Sequence, residues 1–175
     1  QQSQTNLQQT RAEVGVISME KQELADRQKE LERVAELNKK AAEMRQQFKP
    51  NEAEVYTESG KLMVRLKGLQ FPSNQATLGP KNQALLKKVD AALGNLAASK
   101  ITIEGHTDAT GNAERNTILS EQRAQAVEKY LMKNGTVAKG QLESVGMGPN
   151  KPISDNDTAR GRAENRRIDM VIEME

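Results

Sequence analysis

The sequence predicts an α/β domain with a mixed sheet, preceded by one long N-terminal α-helix. Three observations carry that prediction. Residues 1–49 hold no proline, a single glycine and a dense run of Gln, Glu, Lys, Arg, Ala and Leu, all good helix formers. From Ala53 onward the texture changes to short apolar runs that alternate with polar residues, the period of half-buried strands. Between those runs lie segments whose apolar residues recur at spacings of three and four, so strands and amphipathic helices alternate along the chain.

The N-terminal helix carries one apolar stripe through Leu24, Leu31, Val34, Ala41 and Phe48, and a neighbouring one through Leu37, Ala41, Met44 and Phe48. Arg27, Asn38 and Arg45 interrupt the pattern, which makes it a weak coiled coil. Two readings stay open: a helix that self-associates into a homo-oligomer or packs on a partner, or a solvated spacer reaching roughly 70 Å at about 1.5 Å per residue. Pro50 stops the helix, because proline disfavours a helical conformation in the residue before it. The expected division is therefore a helical segment over residues 1–49 and a domain over residues 53–175, with the segment outside the domain's core.

In "EVYTESGKLMVRLKG", Val55 and Thr57 precede a Ser-Gly turn, and Leu62, Val64 and Leu66 follow it, as either a hairpin or one strong strand. Pro80 suits a first helical turn, and Leu86, Val89, Leu93 and Leu96 mark the buried face of that helix. "KITIEGHTD" is a strand with Ile101 and Ile103 on one face. "NTILSEQRAQAVEKYLMKNG" is a helix closed by Gly135, and "LESVGMG" is a short strand. After the loop "PNKPISDNDTARG" and a short helix, Ile168, Met170 and Ile172 alternate in a last strand. The glycines of "GHTDATG" and "SVGMGP" read as turn formers.

Composition removes several classes of function. With 26 basic and 24 acidic residues interspersed, the net charge of +2 offers no block that would follow a phosphate backbone, so no nucleic-acid partner is expected. The absence of cysteine excludes disulfides and thiolate chemistry. No apolar run approaches the roughly 20 residues needed to span a bilayer. No cofactor or metal is expected. The opening "QQSQTNLQQT", without an initiator methionine, reads as a processed or trimmed product.

The chemistry concentrates in "GHTDATGNAERNTILSEQRA", which begins at Gly105. His106 and Asp108 at a strand end suggest a base and its orienting carboxylate, but a hydrolase also needs a nucleophile or a metal, and one histidine without cysteine supplies neither. The chain is therefore not expected to be an enzyme, and His106 reads as a hydrogen-bonded structural histidine. A binding reading fits better. If the helix begins near Asn116, then Asn116, Ser120 and Arg123 share one face, with Arg123 beside the helix N-terminus, where a carboxylate is favoured. Asp108 across the loop supplies the opposite charge. The pair suits a zwitterion, or else forms an internal salt bridge. Asn116 reads equally as a helix cap and Asn74 as a turn residue.

The blocks "IEGHTDATG", "NTILSEQRAQAV" and "GRAENRRIDM", in that order, resemble the signature of the OmpA-like peptidoglycan-binding domain over about Val55 to Glu175. The resemblance implies a mixed four-stranded sheet covered by helices, in a periplasmic module of the Gram-negative envelope that binds the cell wall without cleaving it. It implies peptidoglycan as partner, recognised through the diaminopimelate residue of the stem peptide, whose side-chain end carries an ammonium and a carboxylate on one carbon. Asp108 matches the family's ammonium-binding aspartate and Arg123 its carboxylate-binding arginine. Thr107, Asn116, Asn74 and Arg166 match further polar residues of that pocket. Pro72 departs from the pattern, standing after Phe71 where many members carry an aspartate.

Overall fold

A computed structural model describes residues 2–135, 137–138 and 140–175, with the side chains of residues 2–5 outside the described set. It divides into two compact units, Gln1–Glu36 and Leu37–Glu175. Helix α1, Gln2–Arg45, accounts for the first unit and runs on into the second. In the first unit its large apolar side chains are exposed, among them Leu7, Val14, Ile17, Leu24 and Leu31.

The second unit takes in the last turns of α1, which the sequence reading had assigned to the N-terminal segment. Leu37, Ala41, Met44 and Phe48, the second of the two predicted stripes, are all buried in the same hydrophobic cluster as the sheet. The expectation that residues 1–49 contribute nothing to the core is corrected here. The physical reason lies in β1 (Glu54–Glu58), the outermost strand of the sheet. An edge strand leaves backbone groups unpaired, and Arg45 donates to the Val55 carbonyl through Nε (3.0 Å) and Nη2 (2.7 Å), while Asn38 accepts from the Thr57 hydroxyl at 3.0 Å. Ahead of Pro50 the helix tightens into a turn, with Gln47 N–H bonded to the Met44 carbonyl and Phe48 N–H to that of Arg45.

β1 joins β2 (Lys61–Leu66) through Ser59-Gly60, both at positive φ (49° and 73°). That is the two-residue hairpin turn whose twist suits antiparallel strands, so the hairpin alternative is the one adopted. The hairpin makes the sheet five-stranded rather than four-stranded, in the order β1-β2-β5-β3-β4. β3 is Ala98–His106, β4 is Leu142–Gly148 and β5 is Ile168–Met174. β5 is antiparallel to both β2 and β3, whereas β3 and β4 are parallel, which makes the sheet mixed as predicted.

Parallel neighbours need a crossover, and α3 (Ala113–Asn134) provides it. Leu62, Val64, Leu66, Ile101, Ile103, Ile168, Met170 and Ile172 form one buried sheet face with Ala124, Val127 and Leu131 of α3. Leu86, Val89 and Leu93 of α2 (Pro80–Leu93) complete the core. The helix predicted before the last strand is α4, Ala159–Asn165.

Two glycines read as turn formers have another role. Gly105 and Gly146 lie inside β3 and β4, and α3 passes so close that a β-carbon on Gly105 would collide with the Ser120 carbonyl oxygen. One on Gly146 would sit 2.6 Å from the Thr117 oxygen. This close approach seats the N-terminal half of α3 directly over the end of β3, where Asp108 leaves the sheet.

Candidate ligand-binding site

At the end of β3 the chain is held from both sides, since His106 N–H donates to the Arg167 carbonyl (2.9 Å) and Thr107 N–H to the Gly148 carbonyl (3.0 Å). The loop that follows is built around Asp108. Its Oδ1 accepts from Thr110 N–H at 2.8 Å, and its Oδ2 pairs with Arg166 Nη1 at 2.6 Å. Burial alone would raise the Asp108 pKa, but the Arg166 and Thr110 hydrogen bonds more than offset it and hold the carboxyl below its ordinary value. The group is buried and ionised.

Asn112 caps α3, accepting from Arg115 N–H at 2.9 Å, so the helix begins at Ala113 and not near Asn116. This corrects two expectations. Asn116 is not the cap: its side-chain amide donates to the carbonyls of Thr110 (2.8 Å) and Asp108 (3.4 Å) and so braces the loop. Arg123 lies not beside the helix N-terminus but about 15 Å along the axis from Ala113, at roughly 1.5 Å per residue. Its guanidinium is therefore fixed by other means.

Arg123 Nε donates to the Gln75 carbonyl (2.9 Å) and Nη2 to the Pro72 carbonyl (3.2 Å), and the guanidinium lies 5.0 Å from the centre of the Phe71 ring. Two carbonyls and an aromatic face hold it rigidly. Burial lowers the Arg123 pKa, and the charge of Arg166 lowers it further against a smaller opposing effect of Asp108. The carbonyls come from a turn closed by Gln75 N–H to Pro72 O at 3.1 Å, in which Asn74 adopts a left-handed φ of 56° and faces solvent. Asn74 is thus an exposed turn residue. Pro72, the departure from the family pattern, supports Arg123 through its carbonyl, a role that does not depend on an acidic side chain.

Arg123, Arg166, Arg167, His106 and Phe71 line one recess of about 180 Å³. Among the described residues Asp108 pairs with Arg166 and forms no salt bridge with Arg123. The internal Asp108–Arg123 bridge is therefore not the arrangement adopted. Thr107 is buried with its hydroxyl unpartnered by hydrogen bonding. His106 is 2% exposed, and neither ring nitrogen is hydrogen-bonded. Its Nε2 stands 3.5 Å from Glu104 and 3.7 Å from Asp169, so the ring is buried beside two carboxylates at distances longer than an ordinary hydrogen bond.

Residues outside the predicted set hold this loop from behind. Asn165 is fully buried and satisfied: its Oδ1 accepts from Ile153 and Ser154 N–H, and its Nδ2 donates to the Ser154 carbonyl and to Asn156 Oδ1. Asn156 Oδ1 in turn accepts from Ala109 N–H at 3.1 Å, beside Asp108. The asparagine of "GRAENRR" was the available signal. Arg167 is structural, pairing with Asp169 at 2.9 Å and donating to the Lys151 carbonyl at 3.0 Å.

The OmpA family model matches residues 70–166, more than half of the chain, and takes in every residue of this recess except Leu69 and Arg167. The chain belongs to the OmpA family. It is a non-enzymatic family. The chain is 35% identical over 107 residues to outer membrane porin F of Pseudomonas aeruginosa, covering 61% of this chain and 31% of the porin. It is 38% identical over 104 residues to the peptidoglycan-binding protein ArfA of Mycobacterium tuberculosis (59% and 32% covered), and 37% over 105 residues to the outer-membrane lipoprotein YfiB of P. aeruginosa (60% and 62% covered). The chain thus spans from about a third to under two thirds of the length of these relatives.

Among solved structures, a MotB-like protein from Desulfovibrio vulgaris superposes with a TM-score of 0.72 at 24% identity, covering 82% of this chain and 98% of that one, and shares the fold. The cell wall anchor of the T6SS from P. aeruginosa superposes with a TM-score of 0.66 at 26% identity, with 79% and 97% covered. Among the described residues no helix is long and apolar enough to cross a membrane.

Proposed function

We propose that this chain binds peptidoglycan non-covalently through the diaminopimelate residue of the stem peptide, and that in the periplasm it anchors an outer-membrane or envelope component to the cell wall. One observation carries the reading. A buried, ionised Asp108 pairs with Arg166, and Arg166 and the rigidly clamped Arg123 line one recess, so a carboxylate and a fixed guanidinium are linked through one residue of that recess. A zwitterion with an ammonium and a carboxylate on one carbon complements that pair, the ammonium toward Asp108 and the carboxylate toward the guanidinium.

The other proposed contacts act in different ways. Thr107 offers a buried, unpartnered hydroxyl, Asn116 holds the loop that presents Asp108, and Asn74 sits at the rim of the turn that clamps Arg123. Arg166 pairs with Asp108 and lines the same recess as Arg123. The relative named a peptidoglycan-binding protein and the structural neighbour named a cell wall anchor support the reading. The test is a pull-down on purified sacculi. The parent should sediment with the wall and Asp108→Ala should stay in the supernatant; equal sedimentation of both would refute the reading.

A second reading concerns the segment Gln1–Glu36 and is favoured by its exposed apolar side chains. Leu7, Val14, Ile17, Leu24 and Leu31 recur at spacings of three and seven on a helix with few other means of stabilisation. We propose that this segment associates with a second copy or with an envelope partner, which makes the chain part of an assembly that the wall-binding domain fixes in place. Sedimentation equilibrium should show a concentration-dependent oligomer that is lost on deleting residues 1–36.

A further inference from the structure

The proposed reading gives Asp108 the ligand's ammonium, yet in this structure both oxygens of that carboxylate are already engaged. Oδ1 is used by the loop's own Thr110 N–H, and Oδ2 by the Arg166 guanidinium. The loop contact fixes the carboxylate's orientation and does not compete with a ligand. The Arg166 contact does, because it places a cationic N–H donor where the ammonium must go.

Resting on that reading of the site, we infer that Arg166 is an internal competitor: its guanidinium occupies the ammonium subsite of the free protein, and a ligand binds by exchanging with it at Asp108.

The two arginines of the recess differ in the way this exchange requires. Arg123 is 6% exposed and clamped by two carbonyls and a ring, so it stays where it is. The Arg166 side chain is 46% exposed, and the Asp108 contact is its one side-chain hydrogen bond among the described residues. Its backbone lies at the end of α4, held on one side by the fully satisfied Asn165 and on the other by the buried Arg167. The guanidinium can therefore swing into solvent by side-chain rotation while α4 and β5 remain in place.

Charge makes the exchange selective. An ammonium that displaces Arg166 replaces one positive charge on Asp108 with another and gains little there. A ligand that also brings a carboxylate to Arg123 gains a new ion pair and relieves the repulsion between the two guanidinium groups. The cost of displacing Arg166 falls on every cation that enters the subsite, and a ligand whose carboxylate also pairs with Arg123 recovers it, so Arg166 sets a threshold that a simple amine alone does not pass and acts as a specificity-determining residue that need not touch the bound ligand.

The experiment titrates a stem peptide containing diaminopimelate, and the same peptide with lysine at that position, into the parent, Arg166→Gln, Arg166→Lys and Asp108→Ala, by calorimetry. Because the Arg166 half of the pair is 46% exposed, removing the competitor should tighten the diaminopimelate peptide by up to about fivefold. The lysine peptide should gain by a similar factor, which lifts it above the threshold set in the parent, and Arg166→Lys should stay near the parent. The Arg166 Nε–H resonance of the parent should shift to that of a solvated guanidinium at saturation. Weaker or unchanged binding of the diaminopimelate peptide by Arg166→Gln, with its melting temperature unaltered, would overturn the inference while leaving the proposed site intact. Unchanged binding by Asp108→Ala would overturn the site itself, and the inference with it.

Discussion

Met44→Ala probes the point at which the N-terminal helix becomes part of the domain. Met44 lies in the penultimate position of α1 and is 2% exposed, in the cluster that includes Val55, Leu62 and Leu66. Truncating a buried methionine removes its transfer free energy and leaves a cavity, at a cost of about 2–5 kcal/mol. For a domain of this size each kcal/mol lowers the melting temperature by roughly 2–4 °C, so a fall of about 4–20 °C is expected. Glu43→Ala, one residue away but exposed, should fall within about 0.5 kcal/mol of the parent.

The same reasoning separates two truncations. A chain starting at Leu37 keeps the whole buried stripe and should unfold with the parent. A chain starting at Ala53 exposes the surfaces that Leu37, Met44 and Phe48 cover, at about 1.5–3 kcal/mol for each side chain, and it also strips Arg45 from the edge of β1. That sum is comparable with the whole stability of an ordinary domain, about 5–15 kcal/mol. Urea denaturation followed by circular dichroism is the assay. Coincident curves for Met44→Ala and Glu43→Ala, or for the two truncations, would refute the assignment of the end of α1 to the core.

Other predictions concern the site and its scaffold. Asp108→Ala and Arg123→Ala should each weaken the diaminopimelate peptide by roughly ten- to a hundredfold, since a charge-assisted hydrogen bond contributes about 1.5–3 kcal/mol. Their losses should be non-additive in a double-mutant cycle, and amidating the ligand's side-chain carboxylate should reproduce the Arg123 defect in the parent. Gly105→Ala should destabilise by about 1–3 kcal/mol in urea denaturation, because its β-carbon meets backbone of α3 that cannot move aside cheaply. Asp108 has a folded pKa below its unfolded value of about 3.9, so its contribution to stability is present above that pH and is lost as pH falls through the folded value. The stability difference between the parent and Asp108→Asn should accordingly be constant above about pH 5 and shrink toward pH 2.

Local pattern was enough to determine a good deal of this molecule. The alternation of Leu62, Val64 and Leu66, the three-and-four spacing of Leu86, Val89 and Leu93, and the helix-forming run before Pro50 each depend on side chains within one element, and each element formed. Strand period and helix period are properties of the backbone itself, so they survive without knowledge of neighbours. The signature blocks likewise led to the right family, because the chemistry they carry is spelled out in short contiguous stretches.

What tertiary structure alone decided are the matters that depend on which distant segments meet. Two apolar stripes on α1 looked equivalent in sequence, and only the position of β1 selected the one through Leu37 and Met44 for burial. Gly105 and Gly146 looked like turn residues until α3 was seen to lie against them. Asp108 and Arg123 were matched by their opposite charge, but the fold brings a third residue, Arg166, to the carboxylate first, across 58 positions of chain. Sequence spacing fixes direction along one element. Partner choice between elements is a contest among all the groups that folding brings within reach, and it is decided by distance and burial, which no local pattern encodes.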